Sequence, residues 1–230
     1  MSGHRTAEEV KQHHVEVFGE DLGTLYHALW NELAWLYSKW GEYEELFGKK
    51  PSRVELINKA AGHLFRIVQD SLWEDSLLHV ARLTDPPKSA GKDNLSIKKL
   101  PDLIDDDRLK EKVIALIEVS VEKADFCRDW RNRRIAHKDL GLALSTGAKP
   151  LKPASRVKIK EALSSIADVM NAISSHYMDS TTMYEGVGGP SGGAVSLLYV
   201  LDDGLRAEEE RKERRKAGNY RPEDYQARDL

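Results

Sequence analysis

The chain has 230 residues, of which 40% are hydrophobic and 32% charged, and its formal net charge at pH 7 is −3. That balance excludes a globally basic protein that would bind nucleic acid by bulk attraction. The single cysteine, Cys127, excludes an intramolecular disulfide and a zinc site built on several thiolates. Because no segment reaches the roughly 18 apolar residues of a membrane helix, and no apolar export signal precedes the first charged residues, we expect a cytoplasmic protein without membrane contact.

Apolar residues recur at three- and four-residue intervals along most of the chain, which predicts helices throughout. The third and longest predicted helix ends at Asp85, because Pro86 and Pro87 disfavour helical backbone before them and lack amide donors. The predicted helices span residues of about 6–18, 22–47, 52–84, 96–104, 106–138 and 154–178. The sequence therefore predicts an all-α fold.

The glycine-rich run at residues 186–193 has the composition of a flexible linker. It divides the chain into a predicted helical bundle, residues 1–185, and a C-terminal part, residues 194–230. In that part an apolar segment is expected to dock on the bundle. A tail with eight basic and seven acidic residues is expected to form a solvated helix that frays towards its end.

The most informative segment runs from Arg131 to His137, near the end of the predicted helix at 106–138. In an α-helix, Arg131, Arg134 and His137 would share one stripe of the surface, because they are three and six residues apart. Cleavage of RNA without a metal needs a group that moves protons and a cation that stabilises the charge on the phosphate. Histidine titrates near neutrality, and arginine binds two phosphate oxygens in a planar fork.

These properties make His137 a candidate general base or acid and Arg131 a candidate phosphate-stabilising cation. Asn132, which has both a donor and an acceptor, is a candidate to orient the histidine or to contact the phosphate. An ordinary structural explanation stands beside this one. The exposed carbonyls and dipole of a helix C-terminus attract cations whatever the function. The spacing alone does not separate the two.

The segment Arg131-Asn132-x-x-x-Ala136-His137 resembles the signature of HEPN domains, in which an arginine, a polar residue and a histidine follow one another at such a spacing. The flanking text at residues 72–87, 94–96 and 197–205 is similar to the U-type abortive-infection subgroup of HEPN proteins. The resemblance spans about residues 20–205. It implies an up-and-down helical bundle, here with an additional N-terminal helix and a C-terminal helical extension.

The resemblance also implies a homodimer in which two signatures face each other and form one composite ribonuclease site. The implied reaction is attack by the ribose 2′-hydroxyl, giving a 2′,3′-cyclic phosphate, and the implied site is Arg131, Asn132 and His137. Many such proteins act in phage defence, or as toxins that an antitoxin protein inhibits. Others bind RNA, a nucleotide or a partner protein without cutting. A non-catalytic module of that kind, and a plain dimerisation scaffold, remain alternatives.

Further charged residues surround the segment, and five cations stand against two aspartates between residues 128 and 139. We expect some of them to contact RNA, although helix-surface ion pairs explain them as well. The candidate RNA-binding residues are Arg128, Arg133, Arg134 and Lys138.

On the preceding long helix, Glu74 or Asp75 is a candidate to pair with Arg131 and orient it. Asp75 and His79 are four residues apart, a spacing that can hold a metal, but no third ligand recurs nearby. We therefore predict neither a metal nor a cofactor.

Overall fold

The computed structural model describes residues 6–186, 192–219 and 221–224. Within these ranges the regular structure is helical apart from a two-stranded antiparallel hairpin, β1 (Lys88–Ser89) with β2 (Lys92–Asp93). The all-α prediction is confirmed. The helices are α1 (Ala7–Phe18), α2 (Glu20–Tyr43), α3 (Pro51–Leu83), α4 (Asp107–Lys123), α5 (Asp125–Trp130), α6 (Leu140–Ala143), α7 (Arg156–Met178) and α8 (Ala194–Lys216), with π-helical turns at Glu44–Gly48 and Arg131–Ile135 and 3-10 turns at Ile97–Leu103 and Pro222–Asp224. No helix among the described residues is long and apolar enough to cross a bilayer.

The chain divides into two compact units. Unit 1 comprises Met1–Trp40 and Leu72–Val187, and unit 2 comprises Gly41–Ser71 and Gly188–Leu230. Helices α2 and α3 each contribute residues to both units. The predicted division of the chain at a linker of residues 186–193 stays a prediction, and residues 187–191 lie outside the described ranges.

The core of unit 1 is formed by long helices with one apolar face each. Helix α4 packs on α7, which begins at the N-cap Ser155. Helices α1 and α2 meet so closely that a Cβ atom at Gly23 would lie 2.5 Å from the carbonyl oxygen of His14, so only glycine fits at this position. The largest fully buried side chains of α2 and α7 are Tyr26, Leu29, Leu33, Leu36, Ile159, Leu163, Ile166 and Met170.

Unit 2 has a smaller core of its own, in which Leu46, Ile57 and Phe65 pack with Ala194 and Leu198 of α8. The backbone amide of Ala194 donates to the Glu42 carboxylate at the start of α8. Helix α3 is interrupted where Ala61 adopts a non-helical conformation. This break was not predicted, although Gly62, a poor helix former, follows Ala61 directly.

The helix predicted at about residues 106–138 is not continuous, and this matters for the candidate site. Helix α4 ends at Lys123, and the short α5 leads into the π-helical turn Arg131–Ile135. Regular helix ends there, so His137 lies beyond it. The prediction that Arg131, Arg134 and His137 share a stripe of one α-helix was therefore wrong.

Candidate functional site

The Arg131–His137 segment is a widened helical turn followed by a bend. The amide of Ala136 donates to the carbonyl of Arg131 at 2.9 Å, an i+5 bond, and the amide of Asp139 donates to the carbonyl of Arg133 at 3.0 Å. Such π-type turns insert an extra residue into a helix and occur often at functional sites. The turn separates the two ends of the segment, so Arg131 is anchored against the bundle while His137 projects from it.

The guanidinium of Arg131 is fixed by two acceptors. Its Nη1 forms an ion pair with Oδ2 of Asp85, and its Nε donates to Oδ1 of Asn132 at 2.9 Å. The side chains of Arg131 and Asp85 are only 22% and 16% exposed. Nη2 makes no hydrogen bond to any described residue, so it is available to an anion.

Asp85 is itself held in place directly after α3. The hydroxyl of Ser96 donates to its backbone carbonyl at 2.6 Å, and Pro86 follows it. Its second carboxylate oxygen, Oδ1, is buried without a hydrogen-bond partner among the described residues. The sequence identified Asp85 only as the end of a helix. The signal for the pairing with Arg131 was a carboxylate directly after the C-terminal end of the long helix.

His137 contrasts with Arg131 in being exposed. Its ring makes no hydrogen bond to any residue in the described ranges, so both nitrogens are accessible to a substrate. Two residues later, Oδ1 of Asp139 accepts from the amide of Leu142 at 3.0 Å and caps α6. This backbone hydrogen bond lowers the pKa of Asp139, helped by Arg133. This cap therefore fixes the C-terminal end of the bend that contains His137.

A family model described as AbiU2, of the HEPN type, matches residues 19–196, which is most of the chain. The chain belongs to the AbiU2 family of HEPN domains. The resemblance inferred from the sequence is confirmed, and with it the HEPN-type all-α fold. No curated protein and no solved structure matches the chain.

In this AbiU2-family chain, two of the four predicted RNA-binding residues are engaged in internal contacts. Arg128 donates to Oγ1 of Thr84 at 3.1 Å and also to a backbone carbonyl of α4. Arg133 is within 3.5 Å of the carboxylates of Asp129 and Asp139, and it donates to the carbonyl of Lys149 at 2.5 Å. Both side chains hold the segment and its neighbouring loop together.

The other two predicted RNA-binding residues are accessible to solvent. Arg134 is 54% exposed, and its Nε donates to Oε1 of Glu74 at 3.2 Å. Lys138 is exposed and has no ion-pair partner among the described residues. Of the four predicted RNA contacts, these two are open to a ligand.

Neither acidic residue that was expected to orient Arg131 contacts it. Glu74 pairs with Arg134, and Asp75 forms an ion pair with Lys39 of α2. The carboxylate that holds Arg131 is Asp85, which lies ten residues further along the chain. This is a correction to the predicted pairing.

Between Asp75 and His79, which were considered as a metal-binding pair, the structure places the ammonium group of Lys39. Nζ of Lys39 pairs with Asp75 and lies 3.1 Å from Nδ1 of His79. Nε2 of His79 lies 2.8 Å from Oε2 of Glu32. Burial lowers the pKa of His79 to about 4, and the positive charges of Lys39 and Arg82 add to this shift. Within the described ranges, no group of three or more His, Cys, Asp or Glu side chains is arranged to hold a metal.

Proposed function

We propose that this AbiU2-family chain is an endoribonuclease that cleaves RNA without a metal and acts as a phage-defence effector or toxin. The observation that carries the proposal is the pairing of a fixed arginine with an accessible histidine. Arg131 is held by Asp85 with Nη2 free, and His137 follows it on the same segment with an exposed ring. Membership of a HEPN family supports this assignment.

In the proposed reaction the ribose 2′-oxygen attacks the adjacent phosphorus. An imidazole accepts the proton of the 2′-hydroxyl as the bond between O2′ and phosphorus forms. The bond between phosphorus and O5′ then breaks, and an acid protonates the leaving 5′-oxygen. The products are a 2′,3′-cyclic phosphate and a 5′-hydroxyl.

The chain's own residues divide these tasks. Arg131 stabilises the charge that develops on the equatorial phosphate oxygens, because its fixed, always charged guanidinium needs no reorganisation. His137 is the proton-moving group. Asn132 orients Arg131, because its Oδ1 accepts a hydrogen bond from Nε of Arg131. Arg134 and Lys138 contact neighbouring phosphates. Arg128 and Arg133 act indirectly, by holding the segment in shape.

The reaction requires both a base and an acid, and one chain offers one histidine on this segment. We propose that a second copy of the chain supplies the other, so that a homodimer forms one composite site. An antitoxin protein that covered the exposed His137 and Arg134 would block access to RNA.

A non-catalytic module that binds RNA, a nucleotide or a partner protein is the second candidate function. It is favoured by the ion pair between Arg131 and Asp85, because this carboxylate already balances the positive charge that a transition state would use. In that case the same face would bind a phosphate without promoting its cleavage.

The test is incubation of the purified full chain with single-stranded RNA in the presence of EDTA. A matched substrate carries 2′-O-methyl groups at every position. The proposal predicts cleavage of the first substrate only, because the second lacks the nucleophile. Binding of both substrates with cleavage of neither would contradict the nuclease proposal and support the binding module.

A further inference from the structure

We propose that Trp130, Arg134 and Glu74 form a nucleobase-binding subsite that takes an unpaired guanine beside the phosphate bound by Arg131. This inference rests on the proposed use of RNA as the ligand of the same segment, and it names the base that the segment prefers. Its structural basis is a guanidinium that is clamped on one side by an indole ring and at one edge by a carboxylate.

The indole of Trp130 provides a fixed base for this arrangement. Its Nε1 donates to the carbonyl of Lys152 at 2.9 Å. The ring of Trp73 meets it edge-on, with the two ring centroids 6.5 Å apart. These contacts fix both the position and the tilt of the ring.

Arg134 lies over this ring, with Cζ 5.3 Å from the ring centroid. Cation–π contact and the hydrogen bond from Nε to Glu74 hold the guanidinium from two directions. More than half of the side chain is still exposed, so the side that faces away from Trp130 is accessible. Single-stranded bases stack on such guanidinium planes in RNA-binding proteins.

Glu74 supplies the group that reads the base edge. Oε1 accepts from Arg134, Oε2 has no hydrogen-bond partner among the described residues, and the side chain is 37% exposed. A carboxylate accepts hydrogen bonds only. Guanine presents two adjacent donors, N1–H and N2–H, whereas uracil presents one N–H flanked by two carbonyl oxygens that a carboxylate repels. The arrangement therefore favours guanine over uracil.

The subsite lies in the same short segment as the cleavage residues. Arg134 follows Arg131 by three residues within the π-helical turn Arg131–Ile135. A base stacked on Arg134 would therefore belong to a nucleotide near the phosphate held by Arg131. An ordinary ion pair that only stabilises the π-helical turn would show the same contacts, so the experiment has to separate stacking from charge.

The experiment measures binding of 2′-O-methyl RNA hexamers, which cannot be cleaved, to the full-length chain. The probes are an all-uracil hexamer and the same hexamer with one central guanine. We expect the guanine probe to bind about tenfold more tightly, which is within the discrimination that hydrogen bonds to one base edge typically provide. Arg134→Lys keeps the positive charge but loses the planar guanidinium, and it should remove this preference because it weakens binding of the guanine probe more than binding of the uracil probe.

Glu74→Gln is the second variant, because the amide keeps the shape of the side chain and loses its purely accepting character. It should lower the preference for guanine, because it weakens binding of the guanine probe and removes the repulsion between the carboxylate and the carbonyl oxygens of uracil. Lys138→Ala is the matched control, and it should weaken both probes equally because it removes a phosphate contact. Both test positions are partly or largely exposed, and thermal melting of each variant verifies that it folds.

Equal binding of the two probes by the wild-type chain would overturn the subsite, and so would a Kd for the guanine probe that does not change in Arg134→Lys. Failure to bind either probe would also overturn it. The outcomes remain distinct from those of the nuclease proposal. A preference for guanine without cleavage of ordinary RNA would support the subsite as part of a binding module and contradict the nuclease proposal. Cleavage of RNA without a preference for guanine would support the nuclease proposal and contradict the subsite.

Discussion

Unit 1 contains two clusters in which a histidine stands among cations and carboxylates, and they are opposite in character. The first is the network of Lys39 and Asp75 around the buried His79, in which both ring nitrogens of the histidine face a charged group. The second is the segment from Arg131 to His137, in which the arginine is anchored and the histidine ring is exposed without a described partner. In sequence, each histidine lies a few residues from another charged residue, Asp75 four residues before His79 and Arg131 six residues before His137.

The difference shows what distinguishes a structural cluster from a candidate site. At the first cluster the charged groups pair with one another around a buried histidine, where an unpaired polar group away from water would be costly. Only 3% of the His79 side chain is exposed, so a substrate cannot reach it. At the second cluster one carboxylate fixes Arg131, while Nη2 of Arg131 and the ring of His137 remain available. An incompletely satisfied, accessible set of groups can take a ligand.

The largest effect is expected when the accessible cluster is removed. Arg131→Ala and His137→Ala should each lower the rate of RNA cleavage by about 1,000-fold or more, because each removes a main contribution to the transition state. Single-turnover rates measured in EDTA check this. His63→Ala, at a histidine on a part of α3 that belongs to unit 2, is the matched control and should cleave normally. Activity retained in His137→Ala would contradict the assignment.

A smaller effect is expected at the residue that anchors Arg131. Asp85→Asn keeps the size of the side chain but removes its charge, so it should lower kcat by roughly 10- to 100-fold through loss of orientation. The KM for RNA should change little, because Arg131 keeps its own charge. Steady-state kinetics on a fluorescent RNA check this. Faster cleavage in Asp85→Asn would mean that Asp85 restrains Arg131 and does not position it.

The cluster around the buried His79 should make the free energy of unfolding depend on pH. The pKa of His79 is lowered to about 4 in the folded chain, and the unfolded value is about 6.5. Between these values the unfolded state binds the additional proton, so the free energy of unfolding falls as pH drops from about 6.5 to about 4. Urea unfolding should show a loss of roughly 2 kcal/mol over this range.

The matched variant for that measurement is His79→Gln, which cannot titrate. Its free energy of unfolding at pH 7 should be lower than that of the wild type, and the slope between pH 4 and 6.5 should be smaller. An unchanged slope would show that His79 does not control this transition. RNA cleavage at pH 7 by the folded variant should stay within a few-fold of wild type, because a substrate cannot reach the buried His79.

The smallest effects should separate the accessible cations from the internal ones. Lys138→Ala should reduce the salt dependence of RNA binding by about 0.7 in the slope of log K against log salt, as expected for one lost phosphate contact on a single strand. Arg128→Ala should leave that slope unchanged and lower the free energy of unfolding by about 1–3 kcal/mol, because it leaves the buried Thr84 and a part-buried carbonyl of α4 without their charged donor. Salt titrations and thermal melting check the two outcomes. A lower salt slope in Arg128→Ala, with an unchanged slope in Lys138→Ala, would contradict the roles assigned to the two residues.

The sequence predicted most of the fold because helical periodicity and capping signals are local. The predicted helices at 6–18 and 154–178 agree closely with α1 and α7, which begin at the N-caps Thr6 and Ser155. It did not predict the break at Ala61 or the π-helical turn at Arg131–Ile135. The π-helical turn contains neither proline nor glycine, and Gly62, which directly follows Ala61, is a weak signal because a single glycine is tolerated within a helix. Tertiary contacts decide such features, and a single sequence does not encode them visibly.

The same limit applies to the candidate site. Arg131, Asn132 and His137 were identified from their spacing and resemblance, since both are properties of one short segment. The carboxylate that holds Arg131 was expected at Glu74 or Asp75 and lies at Asp85. The three positions belong to the same stretch of chain, and the direction of each side chain depends on how α3 packs in unit 1. Which cations remain free could not be predicted for the same reason.

The most direct test of the central claim is the chemical identity of the ends that the chain produces from RNA in EDTA. If Arg131 and His137 promote attack by the 2′-hydroxyl, mass spectrometry should find 2′,3′-cyclic phosphates and 5′-hydroxyls. Both should be absent from reactions with His137→Ala. Products with 3′-hydroxyl and 5′-phosphate ends, or identical products from wild type and His137→Ala, would contradict the account.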